Sequence, residues 1–278
     1  MPGYSWGDTE WRRDLRNHPL IGCASDSVGC ALHLVGDALS LKDRDYLLGR
    51  KPRLDCEVLS PLLDELRSFS AGDSSHALVR FGRWEEILRE PPRAGFRLVS
   101  NAVRFYARGI AYAATNRPME AREELAAFDA AAAAIPGDWW VFNNRVDTVM
   151  PIARRMLEGE ILFREGKRDR AFEVLREAVA LEDALVYDEP PAWMLPIRHS
   201  LGALLLADGR FSEAEMVYRE DLRRHRENGW ALIGLQSSLE SLGRMKEVGR
   251  VAQRLASAWA RADMRSTSSC FCQPAESE

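Results

Sequence analysis

The side chains best suited to metal or redox chemistry are five cysteines, two of which form a C-x-C pair, Cys270 and Cys272. Thiolates bind soft metals such as Cu(I) or Zn(II), but two ligands make an incomplete site. The pair lies in an exposed polar C-terminal tail, which we expect to give no second shell of supporting groups. Cys23 and Cys30 could complete the site only if the two ends of the chain met. We therefore predict no metal site and no cofactor.

The cysteines are also unsuited to a disulfide framework, because their number is odd and none lies between residues 57 and 269. A reducing compartment fits this distribution. The start of the chain has no apolar run of signal-peptide length, and no segment approaches the roughly 18 apolar residues that a membrane span requires. The sequence thus favours a cytoplasmic protein without a membrane partner.

The five histidines show no spacing typical of a catalytic or metal site, since no two of them are four residues apart. No P-loop, G-x-G-x-x-G, H-E-x-x-H or G-x-S-x-G motif occurs in the chain. We therefore predict a non-enzymatic protein. The alternative is a metal- or small-molecule-binding enzyme that uses the groove and insertion loops defined below.

The composition is that of a globular protein with a sizeable core, because 46% of the residues are apolar and 29% are charged. The formal net charge of −4 provides no excess of cations to neutralise phosphates. Arginines within residues 219–228 are mixed with acidic residues at helical spacing, which is typical of a solvated helix face. The expected partner is a protein or peptide of unknown identity rather than nucleic acid.

A repeated pattern of small and apolar residues must position these side chains, and it is clearest in the stretch EGEILFREGKRDRAFEVLREAVAL. Gly159 lies seven residues before Gly166, and Ala171, Leu175 and Ala178 follow Gly166 at offsets of five, nine and twelve. These are the small and apolar positions of a tetratricopeptide (TPR) unit. The small residues would let two helices approach closely, while the larger ones fill the seam between neighbouring units.

The same frame recurs along the chain and predicts turns between paired helices near residues 82, 116, 166, 209 and 243. The first and last intervals equal the TPR period of 34 residues, and the two middle intervals exceed it by 16 and 9 residues. Each helix pair would bury its apolar face against the next pair. The predicted fold is all-α, an α-solenoid of TPR-like antiparallel helix hairpins stacked right-handedly over residues 77–262 without a β-sheet.

Three regions follow from this pattern. Residues 1–57 form a predicted irregular or weakly ordered N-terminal arm, residues 58–264 the helical repeat domain, and residues 265–278 a mobile C-terminal tail. Within the repeat domain, Pro118 fits the first turn of a helix, and Pro136 should end the helix formed by the preceding alanine run.

Five stretches resemble a family of bacterial TPR-containing proteins: RFGRWEEIL, YARGIAYAA, EGEILFREGK, AVALEDALVYDEPPAWMLPIRHSLGALLL and YREDLRRHRENGWALIGL. The resemblance covers about residues 58–264 and is most specific at residues 178–235, because a TPR consensus requires neither YDEPP nor ENGW. It implies an interaction scaffold and brings no established reaction. Longer members of that family carry a further helical half with several histidines. Residues 1–57 do not match that half, so no role of those histidines is carried over.

The candidate binding surface has two parts. One is a concave groove lined by the first helix of each pair. The other consists of the two insertions, near residues 129–150 and 183–196, which leave the repeat at the same point and should emerge on one edge. The predicted partner-binding residues are Tyr106, Glu160, Arg164, His199 and Trp230 in the groove and Trp139, Trp140, Asn143, Asn144, Asp188, Glu189 and Trp193 in the insertions.

Two alternatives remain open for these residues. The insertion tryptophans could instead sink into the groove as a structural plug. The solenoid could also serve to complete an oligomer or a longer chain rather than to bind a peptide.

Overall fold

The computed structural model describes most of the chain from residue 75 onward, namely residues 75–93, 95–141, 143–188, 191–260, 262 and 266–272. All of these belong to one compact unit, Gly72–Glu278. The arm predicted at residues 1–57 lies outside the described residues, as does the start of the predicted repeat domain, residues 58–74.

The described residues are mostly helical, as the predicted all-α class requires. None of the helices among them combines the length and the apolar character needed to cross a membrane. Residues 75–80 are helical and are followed by α1 (Trp84–Arg89), α2 (Leu98–Ala114), α3 (Pro118–Ala133), α4 (Val146–Arg164), α5 (Arg168–Asp183), α6 (Ile197–Ala207), α7 (Phe211–Arg224), α8 (Gly229–Ser241) and α9 (Met245–Ala258).

Five tight turns join the helices in pairs at the predicted positions. Each contains a residue with positive φ, between 58° and 78°, a conformation that glycine and asparagine tolerate best. The N–H of the following residue donates to the carbonyl five positions back at 2.8–2.9 Å, which caps the end of the first helix. The turn residues are Gly82, Asn116, Gly166, Gly209 and Gly243.

Helices contact each other within pairs and between consecutive pairs. Within pairs, α2 packs on α3, α4 on α5, α6 on α7 and α8 on α9. Between pairs, α2 contacts α4, α5 contacts α6, and α6 and α7 contact α8. The core runs through these seams and includes Tyr106, Leu157, Phe172 and Leu204, each at most 1% exposed. That these pairs form a right-handed solenoid of TPR-like hairpins stays a prediction.

Small residues allow the close helix crossings that the repeat pattern predicts. A Cβ added to Gly159 would lie 2.6 Å from the Leu175 side chain, and one added to Gly202 would lie 2.4 Å from the Tyr218 ring. Such separations are far below van der Waals contact, so these positions exclude larger residues. Ala171 of α5 is likewise fully buried.

The insertion after α3 contains two short strands, which corrects the expectation of no β-sheet between residues 77 and 262. Strands β1 (Trp140–Val141) and β2 (Asn144–Arg145) pair antiparallel, with Trp140 opposite Arg145. The alanine-run helix α3 ends before Pro136, as predicted, and the aromatic and β-branched residues that follow favour a strand.

The groove is less open than a simple stack of hairpins would make it. Arg80, just before the first turn, contacts His199 of α6 and Trp230 of α8. The ring of Phe81 also lies 6.2 Å from that of Trp230. The first described helical residues therefore lie against helices more than 100 residues away along the chain.

Candidate functional site

Residues 266–272, which we call the docked segment, lie in the groove formed by helical residues 75–80 and by α4, α6, α7 and α8. Ser269 and Cys272 are each only 1% exposed. The sequence predicted a mobile polar tail at residues 265–278, so the burial of this segment was not expected. The groove is thus filled by part of the chain itself.

Serine side chains shape the backbone of the docked segment. The Ser266 hydroxyl donates to the Ser268 carbonyl at 2.7 Å and accepts the Ser268 N–H at 3.3 Å. The Ser268 hydroxyl in turn accepts the Cys270 N–H at 3.3 Å. Serine bonds of this kind stabilise turns. The segment is consequently bent at residues 267–269 rather than extended.

Ser269 makes the most buried polar contacts of the docked segment. Its hydroxyl donates to the His199 carbonyl at 2.9 Å. Since that bond uses the only hydroxyl proton of Ser269, the Tyr218 hydroxyl must donate in the 2.6 Å contact between the two side chains. Burial raises the pKa of Tyr218 well above its ordinary value, which keeps the phenol protonated and able to donate.

His199 connects the docked segment to a buried chain of charged groups. Nη2 of Arg80 lies 2.9 Å from Nδ1 of His199, and Nδ1 must accept because arginine can only donate. The proton of the neutral imidazole therefore lies on Nε2, which donates to Oδ2 of Asp221 at 3.1 Å. Burial lowers the pKa of His199 and favours this neutral form. Arg80 also donates to the Ser269 carbonyl at 3.4 Å.

Phe271 occupies an aromatic corner of the groove. Its ring centroid lies 6.0 Å from that of Trp230, which in turn lies 5.4 Å from that of Trp259. The Arg80 guanidinium lies over the Trp230 ring, 4.3 Å from the ring centroid. A Cβ added to Gly82 would lie 2.8 Å from Cβ of Phe271. Glycine at this turn therefore makes room for the docked segment.

Glu160 of α4 faces the two cysteines of the docked segment. It is fully buried, and neither carboxylate oxygen has a hydrogen-bond partner among the described residues. Burial raises the pKa of Glu160 to about 7, although the nearby Arg164 cation partly opposes the shift. One carboxylate oxygen and the sulfur atoms of Cys270 and Cys272 all lie within 4.8 Å of one another.

The surroundings of the C-x-C pair differ from the sequence-based interpretation in two ways. Cys272 is buried and Glu160 lies beside the two cysteines, so the expectation that the pair lies in an exposed tail is wrong. Cys270 and Cys272 also form a disulfide, which the prediction of reduced cysteines did not include. Arg164 donates to the Cys272 carbonyl and holds the end of the segment against α4.

Trp193, from the second insertion, is packed into the protein. It is 2% exposed, and its ring centroid lies 5.1 Å from that of Tyr106 and 4.9 Å from that of His76. Tyr106 is itself fully buried and donates to the sulfur of Met156 at 3.0 Å. Trp193 is thus buried as the plug alternative expects, but its indole nitrogen has no hydrogen-bond partner among the described residues. A partner could not reach Tyr106 without rearrangement.

The two insertions contact each other, so they lie together as predicted. The N–H and side-chain amide of Asn143 donate to the Asp188 carboxylate at 2.8 and 2.6 Å. The Asn144 amide donates to the Val186 carbonyl at 2.9 Å and accepts the Val186 N–H at 2.8 Å. Asn144 is 4% exposed, so its hydrogen bonds join the two loops and its side chain is not available to contact a partner protein.

Three other aromatic residues of the insertions, among the residues that the structure describes, face solvent beside this hydrogen-bonded pair of loops. Trp139 is 41% exposed, Trp140 62% and Tyr187 75%. Glu189, which the sequence grouped with them, lies outside the described residues. The insertions thus combine an internal polar clasp with an exposed aromatic surface.

Several groove residues were not identified from the sequence, namely Arg80, Tyr218, Asp221 and Ser269. Nothing in the local sequence indicates that Tyr218 bonds to a serine 51 residues later. The one available signal was Phe271, an aromatic residue between two cysteines in a stretch of small polar residues.

The chain was compared with protein-family models, curated proteins and solved structures, and none of them matches it. The resemblance to bacterial TPR-containing proteins therefore stays a prediction.

Proposed function

We propose that this chain is a non-enzymatic peptide-binding scaffold, a TPR-like solenoid whose groove binds a short segment with the chemistry of residues 269–272. The observation that supports this most strongly is the docked segment itself. A groove that buries Ser269 and Cys272 of its own chain has the shape and the hydrogen-bonding groups to hold a similar segment of a partner.

Three features of the groove define the ligand. A small hydroxyl side chain fits between the Tyr218 phenol and the His199 carbonyl. An aromatic side chain two residues later fits against Trp230. Two arginines bind main-chain carbonyls, Arg80 that of the first position and Arg164 that of the residue after the aromatic. The preferred ligand is therefore a segment of the form Ser-x-Phe-x.

The docked segment would compete with any partner for this groove. A tethered segment acts at an effective concentration on the order of millimolar, so a free peptide binds weakly until the docked segment is released. Displacement of residues 266–272 would then be the event that couples partner binding to the rest of the chain.

A peptide-binding assay on the full-length chain tests the proposal. The probe is a fluorescein-labelled peptide of residues 265–278 in which both cysteines are replaced by serine, and the buffer contains EDTA. In the Phe271→Asp variant the docked segment loses its aromatic anchor. We expect this variant to bind the probe at least about tenfold more tightly than the wild-type chain, because intramolecular competition is removed.

Two controls make the result specific. A probe that itself carries Asp in place of Phe271 should bind neither protein, and adding Tyr218→Phe to the Phe271→Asp chain should weaken binding of the intact probe. Equal affinity of the wild-type and Phe271→Asp chains for the probe, or no binding to either, would contradict a peptide-binding groove.

The paired insertions would add a second contact surface to the scaffold. The exposure of Trp139, Trp140 and Tyr187 supports this role, since aromatic residues supply much of the contact energy at protein interfaces. Asp188 would act by holding the two loops in register rather than by contacting the partner.

The enzyme alternative has less support at the centre of the groove. Both ring nitrogens of His199 are engaged, one by Arg80 and the other by Asp221. The Ser269 hydroxyl donates to a carbonyl rather than to the histidine ring. This arrangement lacks the contact between a hydroxyl and a free base that activates a nucleophile.

A further inference from the structure

We propose that Cys270, Cys272 and Glu160 bind one Zn(II) ion when the two cysteines are reduced. The inference goes beyond peptide binding, although it rests on the docking of residues 266–272 that the proposed function also uses. One atom from each of the three side chains lies within 4.8 Å of the others. In a tetrahedral zinc site, bond lengths of about 2.3 Å to sulfur and 2.1 Å to oxygen place neighbouring ligand atoms roughly 3.6–3.8 Å apart. After reduction, side-chain rotations would separate the two sulfurs, which are bonded to each other in the disulfide, and bring them and the carboxylate oxygen to this spacing.

Glu160 provides the second, independent observation. Its side chain is fully buried, and both carboxylate oxygens lack a hydrogen-bond partner among the described residues. A buried carboxylate without donors is unfavourable, and native proteins almost always satisfy such groups with hydrogen bonds or a cation. A cation bound beside the two cysteine sulfurs would satisfy it.

The surrounding groups suit two thiolates and a bound dication. The Cys272 N–H lies 3.1 Å from the Cys270 sulfur, and the Ser200 hydroxyl lies 3.5 Å from the same atom, so both can donate to a thiolate. Two thiolates and one carboxylate give Zn(II) a net charge of −1, which the Arg164 guanidinium at the end of the segment would balance. Cys270 is half-buried, so solvent reaches this end of the site and water would take the fourth coordination position.

The chemistry requires reduction before metal binding. A phosphine such as TCEP breaks the S–S bond with one water molecule, giving two thiols and the phosphine oxide. Zinc then forms bonds to both sulfurs and to the Glu160 carboxylate, and the two thiol protons pass to the buffer. The carboxylate favours Zn(II) over Cu(I). Two thiolates complete the coordination of Cu(I), whereas Zn(II) binds more tightly when an oxygen ligand is added.

The test is a zinc titration of the TCEP-reduced, full-length chain against a chromophoric chelator. Cys23, Cys30 and Cys56 are replaced by serine to remove the other thiols. We expect one zinc ion per chain, and Co(II) substitution should produce near-ultraviolet thiolate-to-metal absorption. Glu160→Gln should weaken zinc binding about tenfold or more, Glu160→Asp less, and neither should change Cu(I) binding.

Three outcomes would overturn the zinc site. These are no zinc bound by the reduced chain, zinc affinity unchanged in Glu160→Gln, or zinc affinity unchanged in Cys272→Ser. Circular dichroism of each variant checks that it is folded. If Glu160→Gln does not fold, the conservative Glu160→Asp variant takes its place in the test. The peptide-binding assay contains EDTA and a cysteine-free probe, so failure of the zinc site and failure of the peptide-binding groove are distinguishable.

Discussion

Replacing Gly82 with alanine tests whether the docked segment packs as the structure shows. Gly82 has φ of 63°, and a residue with a side chain pays about 1–2 kcal/mol for this conformation. The added Cβ would also lie 2.8 Å from Cβ of Phe271, so Phe271 must move. That movement should break the two buried hydrogen bonds of Ser269, which contribute about 0.5–1.5 kcal/mol each. We therefore expect Gly82→Ala to lower the free energy of unfolding by about 2–5 kcal/mol.

Gly166→Ala is the matched control. Its φ is 78°, and no atom lies within 4 Å of the added Cβ, so the variant carries the backbone cost of about 1–2 kcal/mol without the clash. Urea unfolding measures both variants. Cys272 is 1% exposed in the structure, so maleimide labelling of this residue after reduction of the disulfide reports release of the segment. Equal destabilisation of the two variants, with Cys272 protected in both, would refute the packing of Phe271 against the turn.

Ala171→Leu should lower the free energy of unfolding by about 1–3 kcal/mol, because Ala171 is fully buried in α5, which packs against α4. An unchanged urea midpoint would mean that the repeat register is shifted. In metal-free protein, stability should fall as the pH rises from 4.5 through about 7, because folding raises the pKa of Glu160 and so disfavours its ionised form. The loss should reach about 3 kcal/mol and be absent in Glu160→Gln, whereas parallel pH profiles for the two proteins would contradict it. Asp188→Ala should increase amide exchange at residues 143 and 144 while changing the free energy of unfolding by about 1–3 kcal/mol, and unaltered exchange would show that the clasp is dispensable.

The helix pairs could be predicted because their signals are local. A turn such as that at Gly166 needs only a residue that tolerates positive φ and two short amphipathic flanks, all within about 20 residues. Close crossings such as that of Gly159 on Leu175 involve partners in adjacent helices. The contact can therefore be predicted from the spacing of the small residues.

The filling of the groove could not be predicted in this way. Repeat spacing identified the face that carries Tyr106, Glu160 and His199, but it does not say whether that face is open or covered. The cover is made by contacts between distant parts of the chain, such as Arg80 with Ser269, which are 189 residues apart. These contacts depend on how successive pairs bring helical residues 75–80 back to α6 and α8, a property of the whole stack.

The structure of the insertions could be predicted only in part. Their proximity could be predicted from the repeat pattern, because equivalent loops of stacked units would project to one side. Which insertion residues are buried and which are exposed could not be predicted in this way: Asn144 and Trp193 are buried, whereas Trp140 and Tyr187 are exposed. This pattern of burial depends on which polar groups form hydrogen bonds between the two loops, and the spacing of residues in the sequence does not specify those bonds.

The most direct measurement is photo-crosslinking from position 271 of the full-length chain, with benzoylphenylalanine in place of Phe271. A docked segment predicts intramolecular crosslinks to residues around Gly82 and Trp230, at a yield that does not depend on protein concentration and that falls when the peptide of residues 265–278 is added in excess. Crosslinks that are absent, that map away from the groove, or that join separate chains in proportion to concentration would contradict the occupied groove.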